Sequence, residues 1–316
     1  MSSFFQEPAE KLSSTNKGTL KHFPIFQGVE LSFTSFSSKE ISMHHSSDEQ
    51  VLEVNYCHKG IIGWGMKDNT SVYLNPGDLE VHTLDCCSSS TIHLPLGHYE
   101  GVTVLIQPFQ LDIYLQNLFK EWNYDPHCLI PSLCPSGEPL SLSASLLISS
   151  VFSALYEIPE HNLCHYARLK TQELLFFLTT VSRETIPQIQ PFTFSQAELI
   201  REIHDFLIQN IEKRFTIEEL SKKYLLNTTS LKHIFKGIYG KPIATYLKEY
   251  RLQLAMRLLS ETSESISEIS AKVGYESPGK FTEAFRKHTG LLPKNYRKQY
   301  KATDKKEKIC CIKTDP

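Results

Sequence analysis

Four histidines (His58, His82, His93 and His98) and eight cysteines, at positions 57, 86, 87, 128, 134, 164, 310 and 311, are the side chains best suited to metal or nucleophilic chemistry. A mononuclear iron or zinc site needs imidazoles, carboxylates or thiolates converging on one point, and a structural zinc usually takes paired C-x-x-C spacing. The histidines spread over 41 positions with no H-x-H pair, and the cysteines form no C-x-x-C. The adjacent pairs Cys86-Cys87 and Cys310-Cys311 are poorly placed to share a tetrahedral metal. A metal-activated nucleophilic cysteine, as in an alkyl-transfer repair protein, would need a cysteine cluster that the sequence lacks. The expectation is therefore ordinary histidines and free thiols, with no metal, no cofactor and no catalytic residue; a redox or metal sensor is the alternative.

Charge says more. The net charge of −2 hides an asymmetry: residues 195–316 carry 23 Lys and Arg against 15 Asp and Glu, a net of +8, while the first 194 residues are acidic by 10. A basic block joined to an acidic one points to a polyanion met by the C-terminal part alone. At 316 residues, 41% hydrophobic and 22% charged, the chain suits about two globular domains. It has no run of 18 apolar residues and no secretory pattern at its start, so a cytoplasmic protein without a membrane partner is expected.

These features need elements to position them. Residues 1–20 are Ser-rich and aperiodic, and read as loose. From about 30 to 107, runs such as Leu52–Cys57, Ser71–Leu74, Leu79–Leu84 and Gly101–Ile106 read as short strands separated by turn residues, which favours a barrel or sandwich. Helical spacing follows over Leu111–Trp122, Ser141–Tyr156 and Leu163–Ser182. Two prolines within Ile186–Pro191 stop any helix, so 185–194 reads as a linker between a domain over 21–184 and one over 195–300, with a basic tail over 301–316.

Beyond the linker all periodicity is helical. Ser195, Thr216 and Ser265 each precede an apolar-periodic run, with Glu198, Glu219 and Glu268 three residues on, the spacing of a capping box. A repeat overlies this. Thr216–Ser221 resembles Ser265–Ser270, 49 residues on, while Leu231–Lys236 resembles Phe281–Arg286, and Gly240 and Tyr246 match Gly290 and Tyr296, all 50 residues on. In each copy a short capped helix meets a turn and a second short helix, the pattern of a helix-turn-helix. Ile243–Leu259 reads as a linking helix with Tyr246, Leu247, Tyr250, Leu254 and Leu258 on one face. Leu220, Leu231, Phe235, Ile269, Val273, Phe281 and Phe285 read as core.

The second copy runs Ile266-x-Glu268-Ile269-Ser270-x-x-Val273-Gly274-Tyr275-x-Ser277, then Phe281-x-x-x-Phe285-Arg286-Lys287-x-x-Gly290-x-x-Pro293-x-x-Tyr296-Arg297. Over about 100 residues this resembles the DNA-binding signature of the AraC family of bacterial transcription regulators. Ser270 stands where that family usually has Ala, and Leu292 where it usually has Ser or Thr. The resemblance implies an α+β protein of two domains: an N-terminal cupin-like β-barrel with flanking helices, and an all-α C-terminal domain with two helix-turn-helix units on a linking helix.

The same resemblance implies a regulator that binds double-stranded DNA, with RNA polymerase as a further partner. Carried over by position, base contacts fall to Thr229, Lys232 and His233 in the first unit and to Gly279, Lys280, Thr282 and Glu283 in the second. Lys can donate to guanine, Thr can touch a thymine methyl and Glu can accept from cytosine. Lys236, Arg286, Lys287, Arg297 and Lys298 suit phosphates, which fix register without specifying sequence. A small effector in the N-terminal barrel and a homodimer complete the expectation. Leu174–Leu178 is apolar all round, so Leu174, Phe177, Leu178 and Val181 are the expected dimer contacts. Control by a partner protein, or fusion to a cupin-type metal enzyme, are the alternatives.

Overall fold

The computed structural model describes residues 18–44, 50–66, 69–87, 89–181, 183–184 and 187–300, which form two compact units. The basic tail from Lys301, with Lys305, Lys306, Lys308 and the Cys310-Cys311 pair, lies outside the described residues, as does the stretch before Gly18.

The first unit, running to Ala197, holds two antiparallel sheets. One has six strands in the spatial order β1 (Gly18–Phe26), β2 (Val29–Phe36), β9 (Tyr99–Ile106), β4 (Leu52–Gly60), β7 (Leu79–Thr83) and β10 (Leu140–Leu142). The other has five: β11 (Phe192–Thr193), β6 (Thr70–Leu74), β5 (Ile62–Gly65), β8 (Ser89–His93) and β3 (Glu40–His44). Strand alternation explains the stacking. Leu52, Val54 and Tyr56 of β4 join Val102, Val104 and Ile106 of β9 on the outer face, under α1 (Ile113–Glu121), α2 (Leu129–Leu133), α3 (Leu146–Phe152) and α4 (Glu160–Thr180). Phe36, Cys57 and Tyr99 point the other way and meet Ile41, Trp64, Val72 and Leu74 of the second sheet.

The expected barrel is not closed. Each sheet keeps two free edges, and the chain turns between sheets at a corner instead of pairing around a ring. Gly60 makes one such corner between β4 and β5. Its φ is +79°, and a Cβ there would lie 2.2 Å from the carbonyl oxygen of His98. The strand region also begins earlier than expected, since Gly18–Leu20 open β1. Pro187–Thr193, within the expected linker, stays on the sheet unit: Gln188 bridges Leu142, and β11 pairs with β6. Proline forbids helix but suits extended backbone at a sheet edge.

The expected dimer contacts need correction. On α4, Ala167, Thr171, Leu174, Leu175 and Leu178 are buried, so Leu174 and Leu178 are core residues under the six-stranded sheet. Phe177 and Val181 are half-buried against the same core. Leu169, at 62% exposure, and Phe176, at 48%, are the apolar residues this helix shows to solvent. A five-residue apolar run covers more than one turn, so periodicity alone could not say which side the sheet would take.

The second unit takes Glu198–Lys236 and resumes at Lys241, Gly237–Gly240 being grouped with the first. It contains α6 (Ile217–Tyr224), α7 (Thr228–Tyr239), α8 (Ile243–Glu261), α9 (Ile266–Lys272) and α10 (Pro278–Thr289), with a further helical stretch from 293; α5 (Phe194–Gln209) leads into it. The boxes at Thr216/Glu219 and Ser265/Glu268 form as expected, and hydrogen bonds from Ser265 hold the Glu268 carboxyl below its usual range. The third box is displaced. Thr193 Oγ1 accepts from the Gln196 amide while Gln196 Oε1 accepts from the Thr193 amide, and Glu198 pairs with Arg201 instead. No helix among the described residues is long and apolar enough to cross a membrane.

Candidate nucleic-acid interface

Each helix-turn-helix is fixed by its own punctuation. In the first, α6 ends at Leu225 in the left-handed region (φ 52°), and Asn227 Oδ1 accepts from the Ser230 amide to start α7. In the second, α9 runs into Gly274 (φ +76°), and Ser277 caps α10 by accepting from the Lys280 amide. Gly290, also left-handed, closes α10.

Inward residues then hold the second helices. Leu220, Leu231, Phe235, Ile269, Val273, Phe281 and Phe285 are all at most 1% exposed, as their spacing predicts. Around Phe281 and Phe285 lie Leu252, Ala255 and Leu259 of α8, and Tyr296 stands edge-on to Phe285 at 5.4 Å. The linking helix thus turns a different side inward than expected. Leu252, Ala255 and Leu259 are buried with Tyr246, while Leu247, Tyr250, Leu254 and Leu258 are half-buried. It is packed on more than one side, so no single stripe describes it. Arg251 fastens it to the end of α5 by donating to the carbonyls of Ile211 (3.0 Å) and Lys213 (2.7 Å).

Outward residues form one stripe per unit. Thr229, Lys232, His233 and Lys236 are exposed at helical i, i+3, i+4 and i+7 spacing along α7. On α10, Gly279, Lys280, Glu283, Arg286 and Lys287 are exposed and Thr282 is half-buried. Lys298 is exposed, but Arg297 is half-buried with its Nε and one Nη out of solvent, so it offers an anion less than a surface arginine would.

The two stripes are not equivalent. Gly279 presents no side chain, and a Cβ added there would meet nothing within 4 Å. Lys280 is tied by its Nζ to Glu276 at 2.7 Å, and Glu276 also meets Arg214 at 3.0 Å. These cations, Lys280 first, hold the Glu276 carboxyl below its usual range. Sequence reasoning missed this network. The i, i+4 spacing of Glu276 and Lys280 was a usable signal, whereas Arg214 is 62 positions away and only the fold brings it there. Among the described residues no group of three His, Cys, Asp or Glu could hold a metal, and Cys57, Cys128, Cys134 and Cys164 are free thiols. Burial pushes the Cys134 thiol up to about 11.

One departure from the family pattern has a measurable consequence. Ser270 is 1% exposed and its hydroxyl has no hydrogen-bond partner among the described residues. Ser270→Ala is expected to raise stability by about 1 kcal/mol by removing an unmet buried polar group. Urea midpoints of both chains check this; a loss of stability would mean that the hydroxyl is engaged.

Two short capped helices repeated about a shared linking helix, with basic outward stripes, define a double helix-turn-helix domain. The family described as a helix-turn-helix domain matches residues 220–299. The HTH-type transcriptional regulator YdiP of Escherichia coli (strain K12) is 35% identical over 103 residues, covering 33% of this chain and 34% of that protein. The lactose operon transcription activator of Staphylococcus xylosus is 31% identical over 138 residues, covering 42% and 48%. The C-terminal domain of the two-component response regulator yesN from Fusobacterium nucleatum is 33% identical, covering 33% of this chain and 98% of that one, with a TM-score of 0.30. The C-terminal domain is a helix-turn-helix domain of the AraC type, similar to those of these transcription regulators. The chain spans between a third and a half of the length of these two curated relatives.

Proposed function

We propose that this protein is a sequence-specific regulator of transcription that binds double-stranded DNA through α7 and α10. The observation that carries the reading is the pair of exposed stripes on two helices locked to one linking helix. Recognition helices held on one body can enter successive major grooves, about 34 Å apart on one face of the duplex. The first unit does most of the reading, through Thr229, Lys232 and His233. The second contributes Lys280, Thr282 and Glu283, with backbone alone at Gly279, and positions more than it reads. Lys236, Arg286, Lys287 and Lys298 take phosphates, with Arg297 a lesser contributor.

The sheet unit serves as the control domain. We assign it a small effector, in a cupin-like role despite its open sheets, and homodimerisation through the exposed side of α4 at Leu169 and Phe176. RNA polymerase is the further partner that regulation requires. The division of labour is tested by profiling two variants on a randomised site library. Lys232→Ala is expected to relax preference at one or two base pairs, by roughly 1–3 kcal/mol there. Arg286→Ala is expected to weaken all sequences about equally. An Arg286→Ala variant with altered base preference, beside a Lys232→Ala variant without it, would reverse the assignment.

A further inference from the structure

Glu276 sits in the turn that leads into α10 and reaches cations from both helix-turn-helix units. Its Oε2 lies 2.7 Å from Nζ of Lys280, one turn further along, and its Oε1 lies 3.0 Å from a guanidinium nitrogen of Arg214. Arg214 stands two residues before Thr216, the cap of α6. The pair with Lys280 is local, but the contact with Arg214 needs the fold. Arg251 of α8 donates to the carbonyls of Ile211 and Lys213, and a Cβ on Gly274 would lie 2.7 Å from that of Ile211 and 3.0 Å from that of Glu212. The turn at Gly274 therefore lies against the strand of chain that carries Arg214.

The side chains of Lys280, Arg214 and Glu276 remain 68%, 60% and 55% exposed. Ion pairs this open to water contribute little to stability. Their place on the molecule matters more. Lys280 stands on the same side of α10 as the exposed Glu283 and Lys287, the side read above as facing DNA. Glu276 thus puts a carboxylate within hydrogen-bond distance of a cation at that surface, where the field of a duplex is strongly negative.

We propose that Glu276 is a specificity-determining residue, which keeps the charges of Lys280 and Arg214 from phosphates and leaves Lys280 to answer to a base. The proposal rests on the reading of α10 as a DNA-contacting helix and deepens it. An ammonium has three donors, and Glu276 takes one, so two stay open to O6 and N7 of a guanine. A phosphate offers charge alone. There the carboxylate competes for the same cations and repels the backbone. Duplexes lacking the guanine are disfavoured more than those carrying it, which is discrimination by an unfavourable element. Arg214 is the second cation held back.

The test is a salt titration of the full chain on two labelled duplexes, one selected from a randomised library and one of scrambled sequence. Glu276→Gln keeps the size of the side chain, removes its charge and frees two cations. On the scrambled duplex the slope of log K against log salt is expected to steepen by about 1.8, roughly 0.9 for each new phosphate contact. Affinity for that duplex is expected to rise about tenfold near physiological salt, with a smaller gain on the selected one. Glu276→Asp, which keeps the charge, should show little of this increase, and Arg214→Ala added to Glu276→Gln should remove about half of it. A purely structural pair would instead move Tm and weaken both duplexes in proportion. An unchanged slope in Glu276→Gln, or weaker binding to both duplexes, overturns the role of Glu276. Failure of the wild-type chain to bind either duplex overturns the DNA-binding reading itself.

Discussion

Replacing Phe285 by alanine is expected to lower the stability of the C-terminal unit by about 3–5 kcal/mol, the range for a buried aromatic truncated to a methyl group. Phe285 is fully buried and joins the recognition helix α10 to its supports. Its ring lies 5.5 Å from that of Phe281 and 5.4 Å from that of Tyr296, and Leu252, Ala255 and Leu259 of α8 belong to the same cluster. Little can collapse into the space, because the surrounding side chains come from three separate helical segments. Domains of this kind are stable by only about 5–15 kcal/mol, so the variant should lose a large share of its stability. Urea unfolding followed by far-UV circular dichroism measures the loss. A change below about 1 kcal/mol would mean that α10 is held by something other than this core.

Gly274→Ala is expected to cost on the order of 3 kcal/mol, from two sources. The residue has φ +76°, and a Cβ would sit 2.7 Å from the carbonyl oxygen of Ile211 and 3.0 Å from that of Glu212. Both are backbone atoms and cannot swing away. Gly290 provides the control: its φ is +75°, but a Cβ there meets nothing within 4 Å, so Gly290→Ala should lose only the conformational part, about 1 kcal/mol. Equal losses in the two variants would contradict the close approach. The first unit shows the same distinction, since Leu225 takes the left-handed conformation at the matching turn with its side chain 94% exposed and clear of any neighbour it would strike.

The sequence made the C-terminal unit legible because its signals are local and repeated. A capping box spans four residues, and the apolar positions of a short helix recur every three or four, so Leu220, Phe235, Phe281 and Phe285 could be placed inside from spacing alone. The sheet unit was harder. Whether strands close into a ring or turn a corner is decided by contacts such as Gly60 against His98, which are distant in sequence. The strand at Gly18–Phe26 lies before the region where alternation is legible, because it mixes exposed and half-buried positions and ends at a bulge near Pro24. At Ser195 the spacing of a box was present, but Thr193 and Gln196 offered a competing one two residues earlier and it prevailed.

The central claim, that residues from about 190 to 300 bind duplex DNA by a charged surface, is tested most directly by a salt titration. Fluorescence anisotropy of that fragment with a labelled duplex gives the affinity at each salt concentration. About six cations lie on this surface: Lys236, Arg286, Lys287 and Lys298 at phosphates, the half-buried Arg297 beside them, and Lys232, which enters the groove and displaces counterions as well. Neutralising about six phosphates should make log K fall with log salt at a slope near −5. Absence of binding at low salt, or binding with a slope near zero, would contradict the account.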